Sequence, residues 1–305
     1  MHRKQILMSG STGFVGKNLL KYLEAKGYAL TRLNLRDEHW ETTLDKRSFT
    51  TYIHLAGIAH DLSKKNEDSL YYEVNYELTK QLYKCFLKDD EADLFIFFSS
   101  VKAVSDEPES IVTEEIQPAP KTVYGKSKYK AEQYIMQHLP QDKTVIILRP
   151  CMIHGSGNKG NLNSLVRLIK FNIPWVFGAF QNKRSYCSIE NLCFIVNQLL
   201  QARDIKSGVY HVADDNSIST KVLVSLIAKQ LQKKIIILNL PQSIIKLIAK
   251  FGDYLNLPFN SLILNKIVGS YEVSNNKLKR ALNLKSLPIS SKEGLIKTIS
   301  HFKNE

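Results

Sequence analysis

Three glycines, Gly10, Gly13 and Gly16, follow one another at intervals of three in the segment MSGSTGFVGKNLL. An apolar run that predicts a strand precedes them and a helical pattern follows, so they fall in a strand-to-helix turn. In such a turn the first glycine permits the tight bend, the second lets a diphosphate approach the backbone, and the third lets the helix pack on the sheet. A purely structural turn would explain the same spacing, so the rest of the sequence must decide.

Apolar strands alternate with helices through the first half of the chain. Strands that are apolar throughout indicate a parallel sheet covered on both faces. We therefore predict an α/β fold, a Rossmann-type doubly wound parallel sheet, and this context favours the dinucleotide reading of the glycines. Strands are predicted at 4–10, 28–35, 51–57, 93–100 and 144–150, and helices at 13–27, 72–88 and 123–139.

The regular alternation ends near residue 150. Residues 1–150 are predicted to form the dinucleotide-binding Rossmann domain, with its sheet completed by later segments, and residues 151–305 mainly a smaller mixed α/β substrate-binding lobe. Shorter strands such as GVYHVA (208–213) and KKIIIL (233–238) are expected in that lobe, capping the carboxyl ends of the sheet strands. Too few residues separate the second and third strands for a full helix and strand, which predicts a short strand near 40–44.

Composition limits the classes of function. With 305 residues, 44% hydrophobic and 23% charged, the chain is that of a folded, enzyme-sized protein. Four cysteines without a C-x-x-C pair predict neither a metal site nor disulfides, and favour a cytoplasmic location. The net charge of +13 suggests an anionic partner, but the scattered basic residues argue against nucleic acid. Residues 233–268 are rich in Ile and Leu, yet Lys246, Lys250, Asp253 and Lys266 interrupt them, which predicts packed helices and no membrane span.

The end of the second predicted strand bears on the choice of cofactor. An acidic residue there would hold the ribose hydroxyls of NAD. Here the segment reads LNLRD, with Asn34 at the position of the acid and Arg36 two residues on. An arginine can pair with a 2′-phosphate, so NADP is favoured over NAD. In the alternative register Arg36 is a surface residue and Asp37 takes the ribose.

Tyr124 and Lys128 lie four residues apart on a predicted helix and therefore share a face. An ammonium beside a phenol would lower the pKa of the phenol, which lets the tyrosine exchange a proton at neutral pH. The spacing recurs at Tyr22–Lys26 and Tyr76–Lys80, so spacing alone proves little. Only the Tyr124 pair begins a helix after a strand that ends in hydroxyls, at 99–100.

Six segments together resemble one family, the extended short-chain dehydrogenase/reductases, and in particular its NAD(P)-dependent epimerase/dehydratase group. They are GSTGFVG (10–16), HLAG (54–57), VNYELT (74–79), SSVKAV (99–104), YGKSK (124–128) and LRPCMIHG (148–155). Two further segments, GNKGNLNSLVRLI (157–169) and NKRSYCSIENLC (182–193), are similar to UDP-sugar 4-reductases and 4-epimerases of O-antigen and capsule assembly.

The resemblance implies roles for individual residues. Tyr124 would be the acid/base at the sugar C4 oxygen, Lys128 would hold the nicotinamide ribose, and Ser100 would supply the catalytic hydroxyl beside the substrate. Arg184 would bind the substrate diphosphate, with a surface ion pair as the alternative. The residues implied in cofactor binding are Gly10, Ser11, Thr12, Gly13, Phe14, Val15, Gly16, Asn34, Arg36, Leu55, Ala56, Gly57, Asn75, Ser99, Tyr124, Lys128, Pro150 and Cys151.

Several positions depart from the family pattern. Val101 stands where many members carry the catalytic Ser or Thr, so the hydroxyl must come from Ser100 or, in another strand register, Ser99. Met152 replaces an asparagine near the sugar in many epimerases. His54, His60 and His154 are interpreted as structural, because Tyr124 leaves no need for a second base.

The predicted activity is hydride transfer at C4 of a UDP-linked sugar, with Tyr124 moving the proton. LNLRD favours a reductase of a UDP-4-keto-6-deoxy-N-acetylhexosamine that exchanges NADP. The first alternative is a 4-epimerase of UDP-hexose or UDP-N-acetylhexosamine that retains NAD, and the second is a non-catalytic dinucleotide-binding protein. The resemblance also implies a homodimer formed through the helices at 72–88 and 123–139.

Overall fold

The computed structural model describes residues 5–44, 48–59, 68–158 and 162–302. A sheet of six strands, all parallel, lies at its centre in the order β2-β1-β3-β4-β5-β8. This confirms the predicted doubly wound α/β fold. The strands are β1 (Gln5–Ser9), β2 (Ala29–Leu33), β3 (Thr51–His54), β4 (Leu94–Phe98), β5 (Thr144–Pro150) and β8 (Gly208–Val212), with β6 (Met152–His154) and β7 (Tyr186–Ser188) forming a separate parallel pair.

Helices fill the connections between the strands. The predicted helix at 72–88 is one helical segment that passes through a π-helical turn at Glu73–Glu77. The helices are α1 (Phe14–Ala25), α2 (Asp68–Tyr72), α3 (Leu78–Lys88), α4 (Val123–Gln137), α5 (Leu162–Lys170), α6 (Ile189–Gln201), α7 (Thr220–Gln230), α8 (Gln242–Tyr254), α9 (Ser261–Val268), α10 (Asn276–Ala281) and α11 (Ser291–His301).

The central strands are buried on both faces. In β4 all five residues are buried, and they alternate between two hydrophobic clusters: Ile96 and Phe98 pack on one side of the sheet, Phe95 and Phe97 on the other. Strand β5 alternates in the same way. Because successive side chains of a strand point to opposite faces, an uninterrupted apolar run is what a sheet between two helical layers requires.

Two short elements differ from the sequence prediction. Residues Trp40–Thr43 form a 3₁₀ turn, not a strand, and β2 pairs directly with β1. Trp40 is buried in the cluster on one face of the sheet, so this region caps the core without adding a strand. KKIIIL makes only an isolated bridge, between Ile237 and Trp175.

The strand β8 is the later segment that completes the sheet. It contains most of GVYHVA, which was predicted to lie in the second lobe, and it pairs in parallel with β5 along its whole length. The division of the chain at residue 150 stays a prediction. Helices do occupy the apolar region 242–268, as α8 and α9, and none of the helices in the described ranges is long and apolar enough to cross a membrane.

Candidate active site

The segments expected to bind the cofactor lie at one edge of the sheet. The turn at 10–16 follows β1, Asn34 follows β2, residues 55–57 follow β3, Ser99 and Ser100 follow β4, and Cys151 follows β5. These five strands are neighbours, and all run in the same direction. The carboxyl edge of a doubly wound sheet is where ligands bind in this class of fold.

The three glycines of the first turn meet different surroundings. Gly10 has φ +72°, and a Cβ there would lie 2.6 Å from the amide nitrogen of Ala56. At Gly16 a Cβ would collide with the carbonyl of Gly10, so this residue lets α1 pack against the turn. A Cβ on Gly13 would meet only that same carbonyl oxygen, at 3.5 Å. The turn itself therefore requires two of the glycines, while the third keeps an open approach to its backbone.

Gly13 is also the N-cap of α1 and provides no side chain to bond the first amides of the helix. Such amides, together with the helix dipole, favour an anion. The open Gly13 backbone and these amides fit the diphosphate of a nicotinamide dinucleotide. Ser11, Thr12, Phe14 and Val15 belong to the same turn and first helical residues, and Ser11 is buried.

The segment after β2 is exposed and locally ordered. The backbone amide of Arg36 donates to the Asn34 side chain at 3.3 Å, and the Asp37 carboxylate accepts from the amide of His39 at 3.0 Å. The Arg36 guanidinium has no hydrogen-bond or ion-pair partner among the described residues. Arg36 thus offers a free cation at the end of β2, whereas the Asp37 carboxylate already accepts one hydrogen bond.

Tyr124 lies in the first turn of α4, which Thr122 caps by accepting from the amide of Gly125 at 3.2 Å. The side chain of Ser100 lies beside its phenol, and the ring of Tyr71 packs edge-on at 6.4 Å between centroids. Burial raises the pKa of Tyr124 above its ordinary value, and the hydrogen bond to Ser100 lowers it in part. The phenol is therefore protonated at neutral pH in this structure.

The two serines after β4 point to different partners. Ser99 donates to Glu132, which forms a buried, bidentate ion pair with Arg149 (Nε to Oε1 2.9 Å). Ser100 faces Tyr124 and also caps the short 3₁₀ turn at Val101–Ala103. Val101 itself is buried. The strand register thus places Ser100, and not Ser99, beside the phenol.

Lys128 is buried, and its ammonium donates to the carbonyl of Phe98 at 2.9 Å. Burial lowers the pKa of Lys128 to about 8, against a rise caused by Glu132. The expected effect of Lys128 on Tyr124 is wrong for this structure: Lys128 is not among the groups that shift the pKa of the phenol, which is raised. The reason is that the Phe98 carbonyl at the end of β4 holds the ammonium.

Asn75 and Gly57 form the other wall around Lys128. Asn75 lies in the π-helical turn and is fully buried; it bonds both backbone groups of Ile58 and donates to Ser127 Oγ at 3.0 Å. A Cβ on Gly57 would lie 2.8 Å from Asn75 Oδ1 and 2.9 Å from Lys128 Nζ. π-Helical turns of this kind are frequent at functional sites. Leu55, Ala56 and Gly57 therefore connect the glycine turn to the lysine.

His54 is buried in a chain of directed hydrogen bonds. Thr79 Oγ1 donates to the carbonyl of Asn75 and so accepts from His54 Nε2, at 2.8 Å. Ser9 Oγ accepts from the Ala56 amide and donates to His54 Nδ1, at 2.6 Å. Burial lowers the pKa of His54 to about 3, so the ring is neutral. This contact set supports the structural interpretation of His54, whereas His60 lies outside the described residues.

Arg184 lies just before β7, and its guanidinium donates to backbone carbonyls at the end of α9: Nε to Gly269 at 2.9 Å and Nη2 to Lys266 at 2.6 Å. It makes no carboxylate ion pair in the part of the chain that the structure describes. Beside it opens a cleft of about 340 Å³. The cleft is lined by Ala179, Phe180, Gln181, Asn182, Gln242, Val268 and Ser270.

The remaining positions are buried or structural. Pro150 ends β5, and the amide of Cys151 donates to Val212 of β8; burial raises the pKa of the Cys151 thiol. His154 Nδ1 lies 2.9 Å from Thr298 Oγ1 in the interior. Met152 is half-buried in β6.

Sequence reasoning missed Tyr71 and the Ser99–Glu132–Arg149 chain. Two signals were available. Glu132 follows Lys128 by one helical turn, and Arg149 interrupts an otherwise apolar strand.

Two proteins of known activity are similar to this chain in sequence. A UDP-glucose 4-epimerase from Vibrio cholerae is 32% identical over 98% of this chain and 95% of that protein. An N-acetyl-α-D-glucosaminyl-diphospho-ditrans,octacis-undecaprenol 4-epimerase from Escherichia coli O157:H7 is 28% identical over 90% of this chain and 84% of that protein.

Solved structures share the fold. RMD from Pseudomonas aeruginosa, complexed with NADPH, superposes with a TM-score of 0.75 at 20% identity, covering 99% of this chain and 100% of that one. A UDP-glucuronic acid 4-epimerase from Bacillus cereus, in complex with NAD, gives 0.76 at 17% identity, covering 98% and 99%.

Residues 6–213 match the family described as "NAD dependent epimerase/dehydratase family". This range runs from the first strand of the sheet to the end of the last and contains the glycine turn, Tyr124 and Lys128. The chain belongs to the NAD dependent epimerase/dehydratase family and is an NAD(P)-dependent enzyme.

Proposed function

We propose that this protein is a nucleotide-sugar oxidoreductase acting at C4, and specifically a 4-epimerase of a UDP-linked sugar. The observation that carries the proposal is the contact of Tyr124 with Ser100 at the sheet edge that also holds the glycine turn. Two relatives support the choice of reaction, since each is named a 4-epimerase. NAD and NADP each occur with solved structures of the same fold.

Each side chain of the site has a role in the proposal. The glycine turn at 10–16 and residues 55–57 hold the dinucleotide, with Asn34 and Arg36 at its ribose; Asn75, Pro150 and Cys151 support the walls. Lys128, an ammonium within reach of Gly57, holds the nicotinamide ribose. When bound, the dinucleotide supplies a hydride acceptor and donor. Ser99 does not contact the substrate in this proposal; its hydrogen bond to Glu132 holds the end of β4 in place.

Tyr124 moves the proton at the sugar C4 oxygen. A protonated phenol is ready to donate its proton to the C4 carbonyl oxygen while the C4 carbon receives the hydride, the half-reaction that reductases and epimerases share. In the opposite half-reaction Tyr124 takes the hydroxyl proton, and the Ser100 hydrogen bond favours the ionised phenol. Orienting the sugar in a closed cleft removes much of the entropic barrier. Arg184, beside the cleft of the second lobe, binds the substrate diphosphate by exchanging its carbonyl partners for phosphate oxygens.

The second candidate is the reductase of a UDP-4-keto-6-deoxy-N-acetylhexosamine. The free guanidinium of Arg36 at the end of β2 favours it, because that group fits the 2′-phosphate of NADP. A reductase releases oxidised cofactor after each turnover, so an exchangeable NADP agrees with it better than a retained NAD. A homodimer through α3 and α4 is part of either proposal.

The experiment combines the bound nucleotide with turnover. The purified protein is denatured, its nucleotide is identified by mass spectrometry, and separate samples are given UDP-glucose, UDP-N-acetylglucosamine or a UDP-4-keto-6-deoxy sugar with NADPH. We expect NAD and interconversion of C4 epimers. NADPH consumption with the keto sugar alone would establish the reductase, and bound nucleotide without turnover of any substrate would establish a binding protein.

A further inference from the structure

The exposed apolar side chains of this protein are concentrated in one region. Among the described residues sixteen large hydrophobic side chains are exposed, and eleven of them lie between Ile236 and Leu262. Monomeric soluble proteins rarely expose contiguous apolar patches of more than a few hundred Å², and larger patches mark interaction sites. The region therefore differs from the rest of the surface.

The helix α8 carries the centre of this region. Its buried side is narrow and consists of Ile245, Ala249 and Gly252; the first two pack in a small hydrophobic cluster with Phe180 and Leu264. At about 100° per residue, the exposed apolar side lies next to this buried side and covers an arc of about 120°. We call it the α8 apolar face; it consists of Ile244, Leu247, Ile248, Phe251, Tyr254 and Leu255, which are between 47% and 83% exposed.

The segments on either side of α8 also expose apolar side chains. Residues 236–240 run as an extended segment in which Ile236, Leu238 and Leu240 are exposed at every second position, as expected for one side of an extended chain. After α8, Leu257 and Leu262 add exposed apolar surface before and within α9. Helix, leading segment and following loop thus all expose apolar side chains.

The charges around the α8 apolar face are predominantly positive. Residues 233–268 contain five lysines and a single acid, Asp253. Lys246 and Lys250 border the face on α8, and Lys233 and Lys234 are exposed before the leading segment. The Asp253 carboxylate accepts from the Ser261 hydroxyl and amide, at 2.5 and 2.9 Å. The apolar face is therefore flanked by free cations.

We propose that the α8 apolar face docks on the surface of an anionic lipid bilayer, with the helix axis in the plane of the interface. An amphipathic helix with an apolar side and flanking lysines binds in this way, since the apolar residues enter the acyl boundary and the ammonium groups meet lipid phosphates. Tyr254, the most exposed of the set, is of a residue type that favours the interface.

Lipid fits this face better than a second copy of the chain does. A second copy would bring its own lysines into the same contact, and like charges across an interface are unfavourable. The helices proposed for the homodimer, α3 and α4, are separate elements. Gln242 in the first turn of α8 lines the cleft, so the docked lobe is also the lobe that contains the cleft. The inference does not depend on the proposed reaction.

Co-sedimentation with vesicles tests the proposal. We expect the full chain to bind vesicles of equal parts phosphatidylglycerol and phosphatidylcholine, and to bind vesicles of pure phosphatidylcholine only weakly. Its affinity for the anionic vesicles should fall as the salt concentration is raised. The double variant Leu247→Glu/Phe251→Glu should bind at least about tenfold less. Lys246→Gln/Lys250→Gln should lose about fivefold per lysine.

Matched controls use the same chemistry elsewhere. Ile111→Glu changes an exposed apolar residue far along the chain, and Lys292→Gln/Lys297→Gln removes two exposed lysines of α11; both variants should bind like the unmodified protein. Trp40 and Trp175, the two tryptophans of the chain, are buried. A Tyr254→Trp variant therefore adds an exposed tryptophan, whose emission should shift to the blue on vesicles.

Three results would overturn the proposal: no binding to the anionic vesicles at low salt, equal binding by the double glutamate variant, or dissociation of an oligomer by that variant without any vesicle binding. The last result would assign the face to a second copy. Unchanged melting temperatures of all variants show that folding is intact.

Discussion

In α1 and α3 the lysine of a Tyr-x-x-x-Lys pair folds back over its own tyrosine: Lys26 Nζ lies 5.8 Å from the Tyr22 ring centroid, and Lys80 Nζ 5.7 Å from that of Tyr76. In α4 the lysine leaves its tyrosine, since Lys128 Nζ lies 4.9 Å over the Phe97 ring and donates to the carbonyl of Phe98. The three sequences have equal spacing, so the difference comes from the surroundings.

The position of each helix explains the two behaviours. Lys26 and Lys80 are not buried, and each keeps its ammonium near the ring one turn before it; Lys80 Nζ also lies 5.5 Å from the Tyr134 ring centroid. Such a contact contributes about 0.5–1 kcal/mol. The α4 pair instead faces the end of β4. There Lys128 contacts a backbone carbonyl and an aromatic ring, and Tyr124 lies beside a serine hydroxyl. A four-residue spacing thus becomes a candidate site only where the helix begins against the carboxyl edge of the sheet.

Replacing the tyrosines tests this contrast with the largest effect. Tyr124→Phe removes the only group proposed to move a proton at C4, and kcat/KM should fall by about 10²–10⁴-fold. Tyr76→Phe keeps the ring beneath Lys80 and should leave kcat/KM nearly unchanged. Both are measured with the C4 substrate that the unmodified protein turns over. Equal activities of the two variants would mean that α4 holds no special pair.

Substitutions at Ser99 and Ser100 test the surroundings of Tyr124. Ser100→Ala removes the hydrogen bond that lowers the pKa of Tyr124, so the rise of activity with pH should move to higher pH, with kcat about 10²-fold lower near neutrality. Ser99→Ala breaks the contact with Glu132 and should lower the melting temperature without moving the pH profile. A profile that moves in Ser99→Ala and not in Ser100→Ala would reverse the assignment.

A substitution at Gly57 tests the surroundings of Lys128. In Gly57→Ala the new methyl group would meet Asn75 Oδ1 and Lys128 Nζ, at 2.8 and 2.9 Å, so both buried side chains must move. We expect a loss of about 1–3 kcal/mol in the free energy of unfolding, together with lower dinucleotide affinity. Gly13→Ala has room for its methyl group and should keep its stability while losing dinucleotide affinity. Denaturant unfolding and nucleotide titration separate the two effects.

The sequence was sufficient for the elements whose pattern is local. Uninterrupted apolar runs predicted β3, β4 and β5, and the spacing of the glycines predicted the turn after β1. Because the strands were predicted to be parallel, their carboxyl ends were expected to lie at one edge of the sheet. Residues that share this edge could therefore be grouped before their positions were known.

What escaped prediction depends on partners distant in sequence. Lys128 donates to the Phe98 carbonyl thirty residues before it, and β8 pairs with β5 although several helices and strands separate the two in sequence. Arg184 bonds carbonyls more than eighty residues away. KKIIIL has the composition of a strand, yet it finds a partner for a single bridge, at Ile237. Apolar composition alone does not specify which edge a strand will meet.

The smallest expected effect is on the pH dependence of stability, and it comes from the lysine ammonium, which is buried in α4 and accessible in α3. Lys128 has its pKa lowered from 10.5 to about 8, so between these values the unfolded chain holds a proton that the folded chain has lost. Stability then rises with pH across that window, because the unfolded state binds more protons. Below about pH 8 the folded protein carries the full burial penalty of the ammonium.

Lys128→Met removes this penalty, and its melting temperature relative to the unmodified protein should be highest at neutral pH. The difference should shrink by a few degrees as the pH rises from about 8 toward 10, because the unmodified protein gains stability there. Lys80→Met removes an accessible ammonium that lies 3.8 Å from Glu77. The difference in melting temperature between this variant and the unmodified protein should stay nearly constant over the same pH range. Parallel drifts in the two variants would show that burial does not distinguish the α4 lysine from its counterpart in α3.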